Sequence, residues 1–349
     1  MVEYLAPIDP HVHLRGEEYP NHNFFGLGFR NAQSVGLAAV LEQPNPKPWL
    51  IDSKTISERL IRAKLDTKIR YGIHIGLTND LNQVENALEY VMDNNCGVVS
   101  DKVFYVHSTG NMGILDPDVQ KKIWEIKTRL GYKGISIGHF EDENWFLSKF
   151  DPLHPVSHSK RQDPTAEINQ VEAQIKNAYN FGFQGTFYIA HVSNPETVEF
   201  IERTRSKLPF DIVIEATFHH MFLNTLDYET HGNRVKVNPP LRNPGMQEKV
   251  LEYVLSGKID IIGTDHAPHP IERKDSNEPP SGIPALPFWP RGIELLREDG
   301  IDELLLEDII FNNANRVFKL NIKPRYVDVT YNPGLWGAYG YNPFLRVDK

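Results

Sequence analysis

A single cysteine, Cys96, in 349 residues rules out an intrachain disulfide, so the fold must hold through its core, and a reducing cytoplasm is the expected compartment. Basic charge is also short. Lys and Arg number 37 against 46 Asp and Glu, a formal net charge of -9. Such a balance argues against nucleic acid or an anionic membrane as partner, since both require a basic face. No apolar run approaches the roughly 20 residues of a membrane-spanning helix. The first residues show none of the basic, apolar and small-residue succession of a secretory signal. Low-complexity segments are missing, and no repeat with a period of about 20–50 residues indicates a solenoid. The expected partners are a small-molecule substrate and a second copy of the chain in a homodimer, with neither oligomeric state nor association with another enzyme fixed by the sequence.

What is present is a pattern. With 40% hydrophobic residues, the chain can bury a large core. Short runs rich in Val, Ile and aromatics occupy residues 4–14, 35–42, 69–77, 97–106, 134–140, 185–192, 211–218 and 258–264, and each is flanked by Gly or polar breakers, as buried parallel strands are. Amphipathic stretches separate them. In 81–92, Leu81, Val84, Leu88 and Val91 share one helical face, and 118–130, opened by Asp116-Pro117-Asp118, repeats the device. Residues 165–179, 195–205 and 247–255 do so again. Eight runs with intervening helices predict an α/β fold, a (β/α)8 barrel of the TIM type, with an open doubly wound sheet as the alternative. Residues 1–320 would form the barrel. Residues 321–349, rich in Tyr, Pro and Gly and holding Trp336, would pack across it, being too few for a core of their own.

A barrel of this kind does its chemistry at the C-terminal ends of its strands. His11 and His13 close the first run; a side-chain period of two points both the same way. A lone His-x-His is more often a packing or surface pair. Here, however, Lys102 lies in the fourth run, His139 and His191 close the fifth and sixth, and Asp265 follows the eighth. Six side chains able to bind a metal would thus share one rim, with imidazoles suited to zinc and its first-row neighbours.

These residues, in this order, resemble the amidohydrolase superfamily. Four flanking stretches are similar specifically to the dihydroorotases: His13-Leu14-Arg15, Gln43-Pro44-Asn45-Pro46, Lys236-Val237-Asn238-Pro239-Pro240-Leu241-Arg242, and Gly263-Thr264-Asp265-His266-Ala267-Pro268-His269. The resemblance covers about residues 9–290. It implies a dinuclear site of two Zn²⁺ ions. His11, His13 and Asp265 would hold one and His139 and His191 the other, bridged by a carboxylated Lys102. An unmodified ammonium there would face two divalent ions, at about 4 kcal/mol per unit-charge pair at ~4 Å and an effective dielectric of ~20. The usual alternative for such a lysine is a strand end reaching solvent.

The implied reaction is the reversible closure of N-carbamoyl-L-aspartate to L-dihydroorotate, a step of pyrimidine biosynthesis, with Asp265 moving the proton between the attacking water and the amide nitrogen. Arg15, Asn45 and His269 would take the substrate carboxylate and ring, Asn238 would contact substrate, and Thr109, in a loop hinged at Gly110, would close over it. Apart from the resemblance, Arg15 could be a surface ion pair, Asn45 a turn residue and His269 a loop histidine. The chain departs from the pattern where Gly16-Glu17-Glu18 follows Arg15 and where Ala285 stands for a frequent glycine. Little flanks the barrel, as in a compact form without most of the β-sandwich of larger members. Other cyclic-amide hydrolases, such as hydantoinases or allantoinases, would keep the metal set without needing a carboxylate clamp. A non-catalytic relative would be expected to have lost ligands, and none is missing.

Overall fold

The computed structural model describes residues 2–93, 97–107 and 112–347; Cys96, Thr109 and Gly110 lie outside them. Ten strands are present among these: β1 Val2–Leu5, β2 Ile8–Val12, β3 Ala39–Glu42, β4 Arg70–Gly76, β5 Val98–Phe104, β6 Ile135–His139, β7 Thr186–Ile189, β8 Asp211–Thr217, β9 Ile261–Gly263 and β10 Tyr326–Val329. Strands β2 to β9 form one sheet in simple sequence order, every neighbouring pair parallel. Where the two ends of the sheet meet, Val12 bridges His266 in parallel and the His13 amide donates to the His266 carbonyl at 2.6 Å. The fold is a (β/α)8 barrel, and the doubly wound alternative is excluded.

Helices cross over between successive strands, as parallel pairing requires. Their starts follow from sequence. Asp80, Asp116, Asn194 and Asn243 each cap a helix by accepting a backbone N–H from its first turn. The helices Leu81–Met92 and Pro117–Arg129 lie within a residue of the expected spans. Two helices without an expectation of their own, Phe24–Ser34 and Ser53–Asp66, complete the first two crossovers.

The first expected run is corrected by the structure. It is broken at Ala6-Pro7, where proline cannot donate to a ladder, and only Ile8–Val12 enters the barrel. Val2–Leu5 instead pairs antiparallel with Tyr326–Val329, Leu5 opposite Tyr326, so the two ends of the chain share a small separate sheet. Beyond it Trp336, Tyr339 and Phe344 are buried, with Phe344 stacked 3.9 Å from Phe288.

Alternation along the strands sorts charge to two sides of the barrel wall. On β5, Asp101 faces the helix layer, where it pairs with Lys127 Nζ at 2.8 Å and Ser136 Oγ at 3.1 Å; Lys102, one residue on, faces the barrel interior, where Glu215 and Asp265 act on its charge. A second buried ion pair supports the rim. Arg59 from the helix Ser53–Asp66 donates to Glu42 at the end of β3 through Nε at 2.8 Å and to the Arg15 carbonyl through Nη2 at 2.6 Å. Its guanidinium lies 3.9 Å from the Phe25 ring centroid, and Glu42 also accepts from the Leu14 amide at 3.2 Å and from the Tyr71 hydroxyl. The pair thereby fixes the backbone of Leu14 and Arg15 as it leaves β2.

Removing one member of such a pair strands the other. Arg59→Met should cost about 3–5 kcal/mol in urea unfolding, because Glu42 would keep its charge in a dry site, whereas the double variant Arg59→Met/Glu42→Gln should recover much of it. A single variant as stable as the parent would contradict this account of the rim.

Candidate metal and substrate site

The C-terminal mouth of the barrel opens on a cleft lined by His11, His13, Arg15, Asn45, Phe104, His139, His191, Asn238, Asp265, Ala267, Ser281 and Gly282. Of the residues singled out in the sequence, His11, His13, His139, His191, Asp265, Arg15, Asn45 and Asn238 are on this wall. Lys102 lies buried beneath it, and His269 lies behind it in contact with Arg15. Thr109 is outside the described residues.

The imidazoles form one cluster. Ring centroids of His11 and His13 are 5.4 Å apart, His11 and His191 5.2 Å, and His139 and His191 4.5 Å. Their partners decide which nitrogens remain available. His11 Nδ1 is 2.7 Å from Glu215 Oε1, and a carboxylate only accepts, so Nδ1 carries the proton and the lone pair sits on Nε2. Likewise His13 Nδ1 donates to Asn45 Oδ1 at 2.5 Å, and His139 Nε2 donates to Glu141 Oε2 at 2.8 Å. For His191 the Nδ1 atom is buried with no partner.

His11 Nε2 and His13 Nε2 then face Asp265 Oδ1 at 3.4 and 2.9 Å. These three residues form a group whose ligand atoms lie within 4.8 Å of one another, the one such group among the described residues. Two lone pairs and a carboxylate oxygen so close repel unless positive charge lies among them. Burial depresses His13 to about 4 against the pull of Asp265, so at neutral pH the imidazole does not itself supply that charge. Burial alone would raise the carboxyl of Asp265. His11, His13 and His219 together overcome this and hold it well below the usual range. The residues therefore fit a divalent cation: two imidazole nitrogens and one ionised carboxylate oxygen converging on one point.

Lys102 fits less simply. It is fully buried, and its Nζ has no hydrogen-bond partner, lying 5.2 Å from the Phe104 ring centroid. Burial draws it down to about 8, opposed by Glu215 and Asp265. A bare ammonium without hydrogen bonds is costly in such a place.

A second corner of the cleft is cationic. Arg15 donates through Nε to the Pro268 carbonyl at 2.9 Å, and its Nη2 lies 2.8 Å from His269 Nε2. His269 is fixed from its other side by the Tyr19 hydroxyl, 2.6 Å from Nδ1. Asn238 Oδ1 accepts from Ser281 Oγ and from His158 Nε2, each at 2.9 Å. Behind this wall Lys274 Nζ donates to three carbonyls, those of Lys236, Pro280 and Gly282, at 2.9, 3.0 and 2.8 Å. It holds the loops that present Asn238 and Ser281. Among the described residues no carboxylate forms an ion pair with Arg15.

Three of the five non-glycine residues with positive φ are site residues: Arg15 at 62°, His191 at 39° and Asp265 at 46°. Left-handed backbone costs such residues of order 1–3 kcal/mol and clusters where a side chain must be aimed. Sequence reasoning left Glu215, Glu141, Tyr19 and Lys274 out of the site. The signal for Glu215 was a carboxylate in the middle of a run otherwise read as a buried strand, since a buried charge must be paired.

No family model matches the chain. The curated proteins it resembles include the dihydroorotase of Methanosarcina mazei, 30% identical over 80% of this chain and 62% of that protein. The dihydroorotase of Halobacterium salinarum is 29% identical over 80% of this chain and 63% of its own length. The chain thus spans under two thirds of the length of these relatives. Solved structures with the same fold include a dihydroorotase from Saccharomyces cerevisiae in complex with 5-fluoroorotic acid. It has a TM-score of 0.75 and 16% identity, over 93% of this chain and 86% of that one. An L-hydantoinase from Arthrobacter aurescens also has a TM-score of 0.75, at 20% identity, over 91% and 72%.

Gly282 lines the cleft at φ +127°, and a Cβ there would meet the Ala267 carbonyl oxygen at 2.6 Å and His269 Nε2 at 3.0 Å. Gly282→Ala should therefore lower the thermal midpoint and displace His269; an unchanged melting curve would mean that the loop is not held as described. By sequence the chain is similar to dihydroorotases, and its barrel is similar to those of solved dihydroorotase and hydantoinase structures.

Proposed function

We propose that the chain is a metal-dependent cyclic amidohydrolase, a dihydroorotase that interconverts N-carbamoyl-L-aspartate and L-dihydroorotate. One observation carries the substrate reading. Arg15, a cation with no carboxylate paired to it among the described residues, lies on the wall of the same small cleft as the His11, His13 and Asp265 group. A ring with a free carboxylate satisfies that corner, whereas a neutral hydantoin leaves it unmatched.

His11, His13 and Asp265 would hold one Zn²⁺, and His139 and His191 a second. Lys102, carboxylated on Nζ, would bridge the two. Carboxylation replaces an unpartnered buried ammonium by an anionic two-oxygen ligand, and burial toward a pKa of about 8 raises the fraction of free amine able to take up CO₂. The metal pair, when bound, would supply an acidified water and a Lewis acid for the ring amide carbonyl.

The chain's own groups do the rest. Asp265, whose carboxyl is held below the usual range and is ionised at neutral pH, takes the proton of the attacking water and delivers it to the departing amide nitrogen, as base and then acid. Arg15 spends Nε and Nη2 on Pro268 and His269, which aims the rest of its planar fork at the substrate carboxylate. Asn45 holds His13 through its oxygen and would contact the ring, as would His269 and Asn238. Thr109 would cover the bound ring. Residues 8–320 would act as the catalytic barrel, with 321–349, joined to Val2–Leu5 through Tyr326–Val329, as an extension packed on it, in a cytoplasmic enzyme that would form a homodimer. No helix among the described residues is long and apolar enough to cross a membrane.

Purified protein should contain zinc and hydrolyse L-dihydroorotate, with much weaker turnover of unsubstituted hydantoin. The opposite preference would favour the hydantoinase reading that the shared barrel permits. Asp265→Ala should abolish turnover while the protein remains folded. Arg15→Ala should raise KM for dihydroorotate roughly 10- to 150-fold, the loss of a charged hydrogen bond worth about 1.5–3 kcal/mol. Full activity in the Asp265 variant would overturn the mechanism.

A further inference from the structure

Glu215 occupies the interior face of β8 and is 1% exposed. Three donors from two strands, β2 and β7 with the residue pair that follows it, converge on its two oxygens. His11 Nδ1, on β2, is 2.7 Å from Oε1. The backbone N–H of His191, just past β7, reaches the same oxygen at 3.0 Å. The Tyr188 hydroxyl, on β7 itself, donates to Oε2 at 2.7 Å. The carboxylate therefore grips both halves of the histidine cluster: the ring of His11 in one, and in the other the backbone of His191, whose left-handed conformation at φ 39° needs something to stabilise it.

The neighbouring strand is built around this group. Gly263, the last residue of β9, has no Cβ, and one added there would stand 3.0 Å from both Glu215 Cδ and His11 Cβ. That is tighter than ordinary contact on two sides at once. Glycine at this point keeps open the space in which the carboxylate and the imidazole meet. Glu141 makes a simpler contact. It accepts a hydrogen bond from His139 Nε2 at 2.8 Å, leaves its Oε1 without a partner, and makes no hydrogen bond to His11 or His191.

We infer that Glu215 is the positioning residue that joins the two metal half-sites, fixing the His11 tautomer and the His191 backbone so that the two ions bind as one unit. The inference rests on the proposed dinuclear reading. A ligand imidazole whose far N–H is held by a carboxylate is both oriented and made more basic, and losing such a partner typically costs about 10–100-fold in metal affinity. Because Glu215 touches both halves, its loss weakens both ions together. Loss of Glu141 reaches only the half that contains His139.

The test is a zinc titration of full-length, metal-stripped protein against a chromophoric chelator, with thermal unfolding of the metal-free forms and the visible spectrum of the Co²⁺-loaded forms as further readouts. For Glu215→Gln we expect both zinc equivalents to weaken by about 10–100-fold, the Co²⁺ bands to shift, and the metal-free melting midpoint to stay near that of the parent. Glu141→Gln should weaken one equivalent only. Gly263→Ala, which leaves the carboxylate in place but crowds it, should weaken both, and it carries the test should the Glu215 variant fail to fold. Two parent-like equivalents in Glu215→Gln, or the loss of only one, would overturn the inference while leaving the dinuclear reading intact. A parent protein that binds no zinc would instead overturn the reading beneath it.

Discussion

Desolvated acceptors brought to one point govern this molecule. Two imidazole lone pairs, a carboxylate oxygen and a partnerless lysine nitrogen are buried within one end of the barrel. In water each would be satisfied; here none can be without a cation or a change of covalent state. The surrounding structure is arranged to make the alternatives unavailable. Glu215, Asn45 and Glu141 take the other N–H of three imidazoles, so those rings cannot rotate to relieve the repulsion without breaking a buried hydrogen bond. Burial meanwhile keeps the rings of His13 and His219 neutral, each depressed to about 4. The convergence of these groups therefore suits a divalent ion.

Much of this was legible in the sequence, for a physical reason. Parallel strands buried on both faces must be apolar throughout, so a His, Lys or Asp at the end of such a run stands out from its surroundings. The helices read as 81–92 and 118–130, found at Leu81–Met92 and Pro117–Arg129, were equally plain, because apolar periodicity and an Asp cap are local properties. Local information also set the limit. The break at Ala6-Pro7 was missed because 4–14 is apolar on both sides of it; what separates β1 from β2 is the partner each finds, and Tyr326–Val329 lies over 300 residues away.

The supporting shell was hidden for the same reason. Glu215 reaches His11 across 204 positions, Arg15 reaches His269 across 254, and Tyr19 reaches His269 across 250. Nothing in the neighbourhood of Tyr19 or Lys274 distinguishes them from ordinary surface residues. Lys274 is buried only because three carbonyls from two loops close on it, and those loops owe their course to the barrel. Residues that touch a metal or substrate carry unusual chemistry in their own identity. Residues that hold them in place carry it only in their contacts.

The metal corner and the anion corner are not independent, because one short segment belongs to both. His11 and His13 leave β2 toward the cation site, and two residues later Arg15 turns toward His269. That turn is made in a left-handed conformation at φ 62°, with the Arg15 carbonyl held by Arg59. An arginine in this conformation costs free energy locally, and the buried Arg59–Glu42 pair is what keeps it there. A side chain meant only to pair with an acid on the surface would need none of this support. The spacing between the His11, His13 and Asp265 group and the Arg15 guanidinium is then set by a few residues of one backbone segment rather than by two separate loops, a short span that would suit the small charged ring proposed above.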